Sequence, residues 1–351
     1  MLIRFFVIWI ILSLWSSISV AQDRAIWATI WSVNSPEKID EIVKTVQQYH
    51  FNKVFIQVRY RGDALYFPNR TDTTYENREE RSYILKNGDF DPLSYMIEQL
   101  KGTDIQVHAW VPIFVITPYD LSKIGPSNLY YAHPEWITVS DNGVKMRSNE
   151  HEGAFLDPGI PEVQKYMINV LSDIASNYDI DGIQLDYIRY PDSIYGYNPL
   201  AIANFKLSEE KDFERWKQQQ INTFVNKAFI QLKNIKPEME ISAAVFANQK
   251  KASNQLSQNW NEWIKDAYID QVYVMAYNTS NRTFENVLKD MATLDKSKIN
   301  VILRAWTDNK PYSYHLINDK IELCKKYQNM NMGFYSYSGL IKNQYLKHIK
   351  F

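Results

Sequence analysis

Short runs of β-branched and aromatic residues recur along the chain, each followed by a longer stretch with apolar residues at helical spacing. Eight such runs, near residues 25–31, 53–59, 106–114, 182–188, 240–246, 271–277, 300–306 and 331–337, predict strands. The clearest helical stripe between them is Val163, Tyr166, Met167, Val170, Leu171, Ile174 and Tyr178. Ser35-Pro36 and Asp91-Pro92 each set a capping side chain before a proline at the first helical position. Strands alternating with helices require a parallel sheet, and eight units with little chain after the last imply closure into a (β/α)8 TIM barrel, an α/β fold. An open sheet is the weaker alternative.

Side chains alternate across a strand, so the pattern also sorts faces. Val54, Ile56 and Val58 share one side of the second strand, while Phe55, Gln57 and Arg59 share the other. Val107, Ala109 and Val111 oppose His108 and Trp110; Ile183 and Leu185 oppose Gln184 and Asp186; Val301, Leu303 and Ala305 oppose Ile302, Arg304 and Trp306. With the aliphatic set against the helices, Gln57, Arg59, His108, Trp110, Gln184, Asp186, Tyr277, Arg304, Trp306, Tyr335 and Tyr337 are expected to converge on the carboxyl-terminal mouth. So many polar groups on one face predict a ligand site, because each would be costly to bury unpaired. Connections 60–90 and 115–160 are far longer than usual, and they carry the further charged candidates Asp63, Glu150, Glu152 and Asp157.

The amino terminus changes the picture of where this barrel works. Arg4 precedes an apolar run over residues 5–14 and then Ser19-Val20-Ala21, the layout of a secretory signal peptide cleaved after residue 21. That leaves residues 22–351 as a single barrel domain, expected in the periplasm or outside the cell, with no stable membrane insertion after cleavage. The apolar run is shorter than a bilayer span, which weighs against a retained anchor.

Charge and cysteine content narrow the partners. The chain has 39 Lys and Arg against 40 Asp and Glu, with no long run of one sign, so nothing recruits nucleic acid. Cys324 is the sole cysteine and reads as a small buried hydrophobe on a helix. His108, His133 and His151 lack metal-ligand spacing, so neither a metal nor another cofactor is expected. With 24 Tyr and 10 Trp, aromatic faces are available both for the core and for stacking on sugar rings.

The sharpest motif runs from Tyr178 through Asp181-Gly182-Ile183-Gln184-Leu185-Asp186-Tyr187-Ile188-Arg189-Tyr190-Pro191. With Gln57-Val58-Arg59-Tyr60-Arg61-Gly62-Asp63, His108-Ala109-Trp110 and Leu156-Asp157-Pro158-Gly159, it resembles the glycosyl hydrolase-like family 10, whose members are exported barrel enzymes. The resemblance implies hydrolysis of glycosidic bonds in bacterial cell-wall or other polysaccharides; one relative acts on peptidoglycan glycan strands lacking peptides. It also places Tyr187 and Arg189 among the substrate-binding candidates. Many relatives carry His and two adjacent aspartates in the strand-four motif, where this chain has Gln184 and Asp186-Tyr187. Chitinase and amylase strand-four patterns match only in part, since Ile188 stands where chitinases have the acid Glu and the fifth strand ends without a Glu.

A glycosidase uses two carboxyl groups flanking the scissile bond. Asp186 is the first, and Asp63 or Asp157 the second. The structural alternatives are an ion pair of Asp63 with Arg59 or Arg61, turn chemistry for Asp157, a hydrogen bond of Asp186 to Arg304 or Tyr277, and a satisfied core role for His108. An Arg59 beside Asp63 would lower its pKa. Two other functions compete: a catalytically silent carbohydrate-binding barrel, and a substrate-assisted enzyme in which Tyr277 or Asn278 holds the acetamido group.

Overall fold

A computed structural model describes residues 23–307, 312–327 and 331–350, so the expected signal peptide lies outside the described residues. Eight parallel strands close into a barrel: β1 (Arg24–Ala28), β2 (Lys53–Gln57), β3 (Gln106–Pro112), β4 (Gly182–Asp186), β5 (Glu240–Phe246), β6 (Gln271–Ala276), β7 (Ile299–Arg304) and β8 (Met332–Tyr335). Each pairs with its sequence neighbours, and β8 pairs back to β1, with Ala25 opposite Gly333. The open-sheet alternative is thereby excluded.

The alternation of faces produces two apolar layers. Val54, Ile56, Val107, Ala109, Ile183, Leu185, Val301 and Leu303 all join the large cluster between strands and helices. Val163, Met167, Val170, Leu171 and Ile174, on the helix Pro161–Asn177, complete that layer. Each such aliphatic side chain contributes about 1.5–3 kcal/mol on leaving water. Inside the barrel a separate cluster forms from Ala25, Trp27, Phe55, Trp110, Tyr273 and Ile302. Trp27 stacks on Phe55 with ring centroids 4.4 Å apart, and Tyr273 meets both edge-on.

Below this plug, at the amino-terminal end, Lys53 bridges Asp23 at 3.3 Å and Glu240 at 2.9 Å. His108 lies between that cluster and Phe55, and Gly182 makes room for it: a Cβ there would stand 2.2 Å from His108 Nδ1.

Several strands stop earlier than their hydrophobic runs. After β1 the chain turns into a short 3-10 helix, Ile30–Ser32; after β4 Tyr187 takes a left-handed φ of 52°. Tyr337 opens the helix Tyr337–Lys342 instead of extending β8, and its ring packs into the outer layer. Pro36 and Pro92 do begin helices, but only Asp91 caps with its side chain, accepting from Ser94 N–H at 2.9 Å; Ser35 makes no such bond. Cys324 is buried on the helix Tyr314–Lys326.

Candidate active site

At the carboxyl-terminal mouth lies a cavity of about 270 Å³, lined by Trp27, Trp110, Glu152, Asp186, Tyr187, Arg189, Ala244, Phe246, Met275, Tyr277, Ile302 and Tyr335. Its floor is the top of the aromatic plug, and its walls come from the ends of most barrel strands. Asp186, the last residue of β4, points into it. The carboxyl accepts Trp110 Nε1–H at Oδ2 (2.9 Å) and the backbone N–H of Tyr187 at Oδ1 (2.7 Å). The left-handed turn at Tyr187 directs that N–H back onto the side chain of its neighbour.

Burial pushes the pKa of Asp186 up, and the hydrogen bonds from Trp110 and Tyr187, with the charges of Arg189 and Arg61, offset this only in part. At 9% exposure the group is reached from the cavity. Burial likewise pushes the Tyr187 phenol up to about 12 and, reinforced by Tyr335 and Asp186, that of Tyr277 well above its usual value. These phenols are neutral donors at physiological pH. Tyr277, Trp306 and Tyr335 form a three-ring corner, with Tyr277 5.0 Å from Trp306 and Tyr335 5.7 Å from each of the others. Arg304 stacks 4.3 Å over Trp306, so Asp186 accepts its bonds from Trp110 and Tyr187 rather than from Arg304 or Tyr277.

The second carboxylate on the cavity wall is Glu152, from the long connection between β3 and β4. Arg189 Nη2 approaches Glu152 Oε1 at 3.4 Å, and Glu152 Oε2 has no partner. Backbone geometry fixes its position: Gly153 has φ +126°, and a Cβ there would lie 2.1 Å from the Thr117 carbonyl oxygen, so only glycine lets the loop pass.

The other two carboxylate candidates do not reach the cavity. Asp63 is buried under the connection after β2, where Ser82 donates to Oδ2 at 2.7 Å and the Arg61 N–H to Oδ1 at 3.3 Å. The expected ion pair with Arg59 or Arg61 does not form. Arg59 pairs instead with Glu79, Nε to Oε1 at 2.6 Å, and donates to the carbonyls of Pro112 and Ile113. Burial outweighs the pull of Arg59, so the pKa of Asp63 is raised where the sequence suggested lowering. Asp157 is wholly buried and engaged by Thr138 Oγ1 at 3.0 Å, Gly159 N–H at 2.9 Å and the Tyr190 hydroxyl at 3.4 Å, the turn chemistry of Asp-Pro-Gly.

Of the inward-facing set, Trp110, Asp186, Tyr277 and Tyr335 meet at the mouth, joined by the further candidates Tyr187 and Arg189. Convergence of the full set is corrected by depth. His108 sits opposite Gly182, far below Asp186, and burial holds its imidazole neutral. Gln184 accepts Trp27 Nε1–H at 2.7 Å inside the plug. Gln57 accepts the Ile30 N–H and donates to the Arg59 carbonyl. Arg59 is sealed in the loop, Asn278 lies outside the lining although its carbonyl accepts from Lys320, and Tyr337 faces the helices. Sequence reasoning missed Trp27, Phe246, Met275 and Ile302, which read as ordinary core, and weighed Glu152 only as one of several loop charges. Among the described residues, no three His, Cys, Asp or Glu side chains are grouped to hold a metal.

A closed parallel barrel with a buried acid and aromatic rings at its carboxyl-terminal mouth is the architecture of barrel enzymes that work on sugars. The chain belongs to the Glycosyl hydrolase-like 10 family, whose profile matches residues 21–316. It is 23% identical over 288 residues to the glycosyl hydrolase YngK of Bacillus subtilis, covering 72% of this chain and 54% of YngK. It is 24% identical over 228 residues to the glycosyl hydrolase DigH of Escherichia coli K12, covering 59% of this chain and 46% of DigH. The chain thus spans about half the length of these relatives. The glycoside hydrolase domain of PgaB (BpsB) from Bordetella bronchiseptica has the same fold: TM-score 0.72 at 15% identity, covering 93% of this chain and 97% of that domain.

Proposed function

We propose that this chain is an exported glycoside hydrolase, acting as residues 22–351 after loss of its leader, that cleaves O-glycosidic bonds of a cell-wall or related polysaccharide such as peptide-free peptidoglycan glycan. The observation that carries the reading is Asp186: a buried carboxyl with a raised pKa at a strand end, opening onto a cavity walled by tryptophan and tyrosine. As general acid it donates its proton to the leaving glycosidic oxygen. Trp110 and the Tyr187 N–H hold both carboxyl oxygens, fixing its orientation and receiving the negative charge that develops as the proton leaves. Glu152, held by Arg189 on the loop side, is the second carboxylate, attacking the anomeric carbon or activating a water. The proximal rings pack against sugar faces.

A second reading is favoured by Tyr277, whose neutral phenol lines the cavity beside Asp186. There it would hold the substrate's own acetamido group as nucleophile, leaving Glu152 dispensable. One experiment tests both. The secreted protein is incubated with peptide-free glycan strands, chitin oligomers and neutral polysaccharides, and new reducing ends are measured. Parent protein is expected to release product from at least one of them, and Asp186→Asn to lose about 10²–10⁴-fold in rate. Glu152→Gln loses comparably in the two-carboxylate mechanism and less than about tenfold in the substrate-assisted one. Retained binding with no product from any substrate would establish a silent carbohydrate-binding barrel and end the hydrolase reading.

A further inference from the structure

On the flank of the barrel, sharing no lining residue with the mouth, lies a second cavity of about 380 Å³. One wall is the outer face of the helix Pro161–Asn177, where Glu162, Lys165, Tyr166 and Asn169 follow one another at helical spacing. Most of the remaining lining comes from the connection that also carries Glu152. There the short helix Leu129–Ala132 runs into a 3-10 turn, Pro134–Trp136, and presents Ala132, His133 and Trp136. Trp136 is half-buried, and its backbone is held on both sides: its N–H donates to the His133 carbonyl at 3.0 Å and its carbonyl accepts the Asp157 N–H at 2.8 Å. The His133 ring lies flat on the indole, with centroids 3.9 Å apart at 8°, and Glu135 fixes its Nδ1 at 2.9 Å. Tyr166 tilts toward the indole from the helix at 5.9 Å. Three rings are thus assembled in one groove at the barrel surface.

The polar groups among these rings are unspent. Neither the indole N–H of Trp136 nor the side chains of Glu162, Lys165 and Asn169 make a hydrogen bond or ion pair to any other described residue. The backbone around them is committed to helical bonds, so a peptide strand finds no edge to join. Aromatic faces with an amide and isolated donors and acceptors match a ligand that has apolar ring faces and hydroxyls around its edge. A strongly charged ligand is not matched, since Glu162 and Lys165 offset each other and Arg78 is paired with Glu76.

We propose that this groove is a second, non-catalytic glycan-binding site, which holds one stretch of a polysaccharide while the mouth acts on another. The inference rests on the polysaccharide reading for its ligand and adds a site away from the chemistry. A polymer bound at one site meets the other at raised effective concentration, a gain closed to a fragment too short to reach both.

Retention is measured by electrophoresis of Asp186→Asn, in which turnover is suppressed, through gels containing glycol chitin, peptide-free glycan strands or a neutral β-glucan. At least one polymer is expected to retard the protein, and Trp136→Ala in the same background to weaken that affinity about tenfold, the worth of one or two ring contacts. Because Trp136 also packs on the core, Ala132→Arg supplies an independent block from an exposed position, where the longer side chain fills the groove. With Asp186 intact, both changes are expected to lower reducing-end release from dilute polymer about tenfold and to leave release from a short fragment of it within about twofold. No retardation by any polymer, or retardation unchanged by both variants, overturns the proposal. So does an equal loss on polymer and fragment, which would make the groove part of the mouth. The hydrolase reading is judged separately: a parent protein retained through Trp136 that releases no reducing ends keeps this groove and loses that reading, and release without retention does the reverse.

Discussion

At the amino-terminal end of the barrel Lys53 lies between Asp23 and Glu240, and the Tyr273 hydroxyl completes its shell at 3.1 Å. At the carboxyl-terminal mouth Asp186 is met by two neutral N–H donors, and Arg61 by the rings and hydroxyls of Tyr60 and Tyr187. The same chain therefore buries ionisable groups twice, once closed by opposite charges and once facing an open cavity. Groups that neutralise one another contribute to the fold and offer nothing to a ligand. Groups left without counterions are costly in the empty protein, and that cost is what a bound substrate can relieve.

The comparison breaks most directly through Asp186→Asn and Lys53→Met. The first is expected to remove about 10²–10⁴-fold of turnover while circular dichroism and the melting transition remain those of a folded barrel. The second is expected to leave turnover per folded molecule unchanged and to lower stability in urea unfolding by roughly 2–3 kcal/mol. That is less than a fully buried pair would lose, because Asp23 and Glu240 keep 28% and 23% side-chain exposure. Should Lys53→Met abolish turnover in folded protein, the division between the two ends is wrong.

Asp157 extends the closed class into the loops. Asp157→Ala leaves the Gly159 N–H and the Thr138 and Tyr190 hydroxyls without their acceptor, so a loss of about 1–3 kcal/mol is expected, read as a lower melting temperature. Its kcat is expected to stay within a few-fold of the parent. A collapse of kcat in well-folded protein would return Asp157 to the chemistry.

The smallest effect is a slope. The folded-state pKa of Asp186 is raised, so the fold holds its proton more tightly than the unfolded chain does. Its favourable contribution is complete below the unfolded value of about 3.9 and is lost as pH rises through the folded value. Asp186→Asn cannot lose it. The melting temperature of the variant is expected to rise relative to the parent as pH increases from about 4 through that window, and a flat difference would show that Asp186 is not held protonated.

Much of this was legible in the chain. The run at 240–246 coincides with β5, and the aliphatic and polar faces of β2, β3, β4 and β7 fall outside and inside the barrel as a period of two requires. Asp186 at a strand end followed from the same count. Depth did not, because alternation tells which way a side chain points and not how far along the axis it lies. His108, Gln184 and Asp186 share an inward direction, yet the strand register puts His108 beside Gly182 and Asp186 beside Pro112. Tyr337 failed because a helix began where the alternation was carried on. Glu79 as the partner of Arg59, and Glu152 rather than Asp63 or Asp157 on the cavity wall, depend on the path of long connections, which has no periodicity to read.

The joint between β1 and β8 has a consequence for how the molecule is made. Asp23 N–H donates to the Asn331 side chain at 3.1 Å across a sequence separation of 308, and Arg24 faces Met332 in the ladder. Until that last ribbon arrives, both flanks of the sheet offer unpaired backbone groups to any neighbouring polypeptide. The ring is sealed by its most sequence-distant contacts, so closure must wait for the last of the eight strands, and assembly is inherently slow.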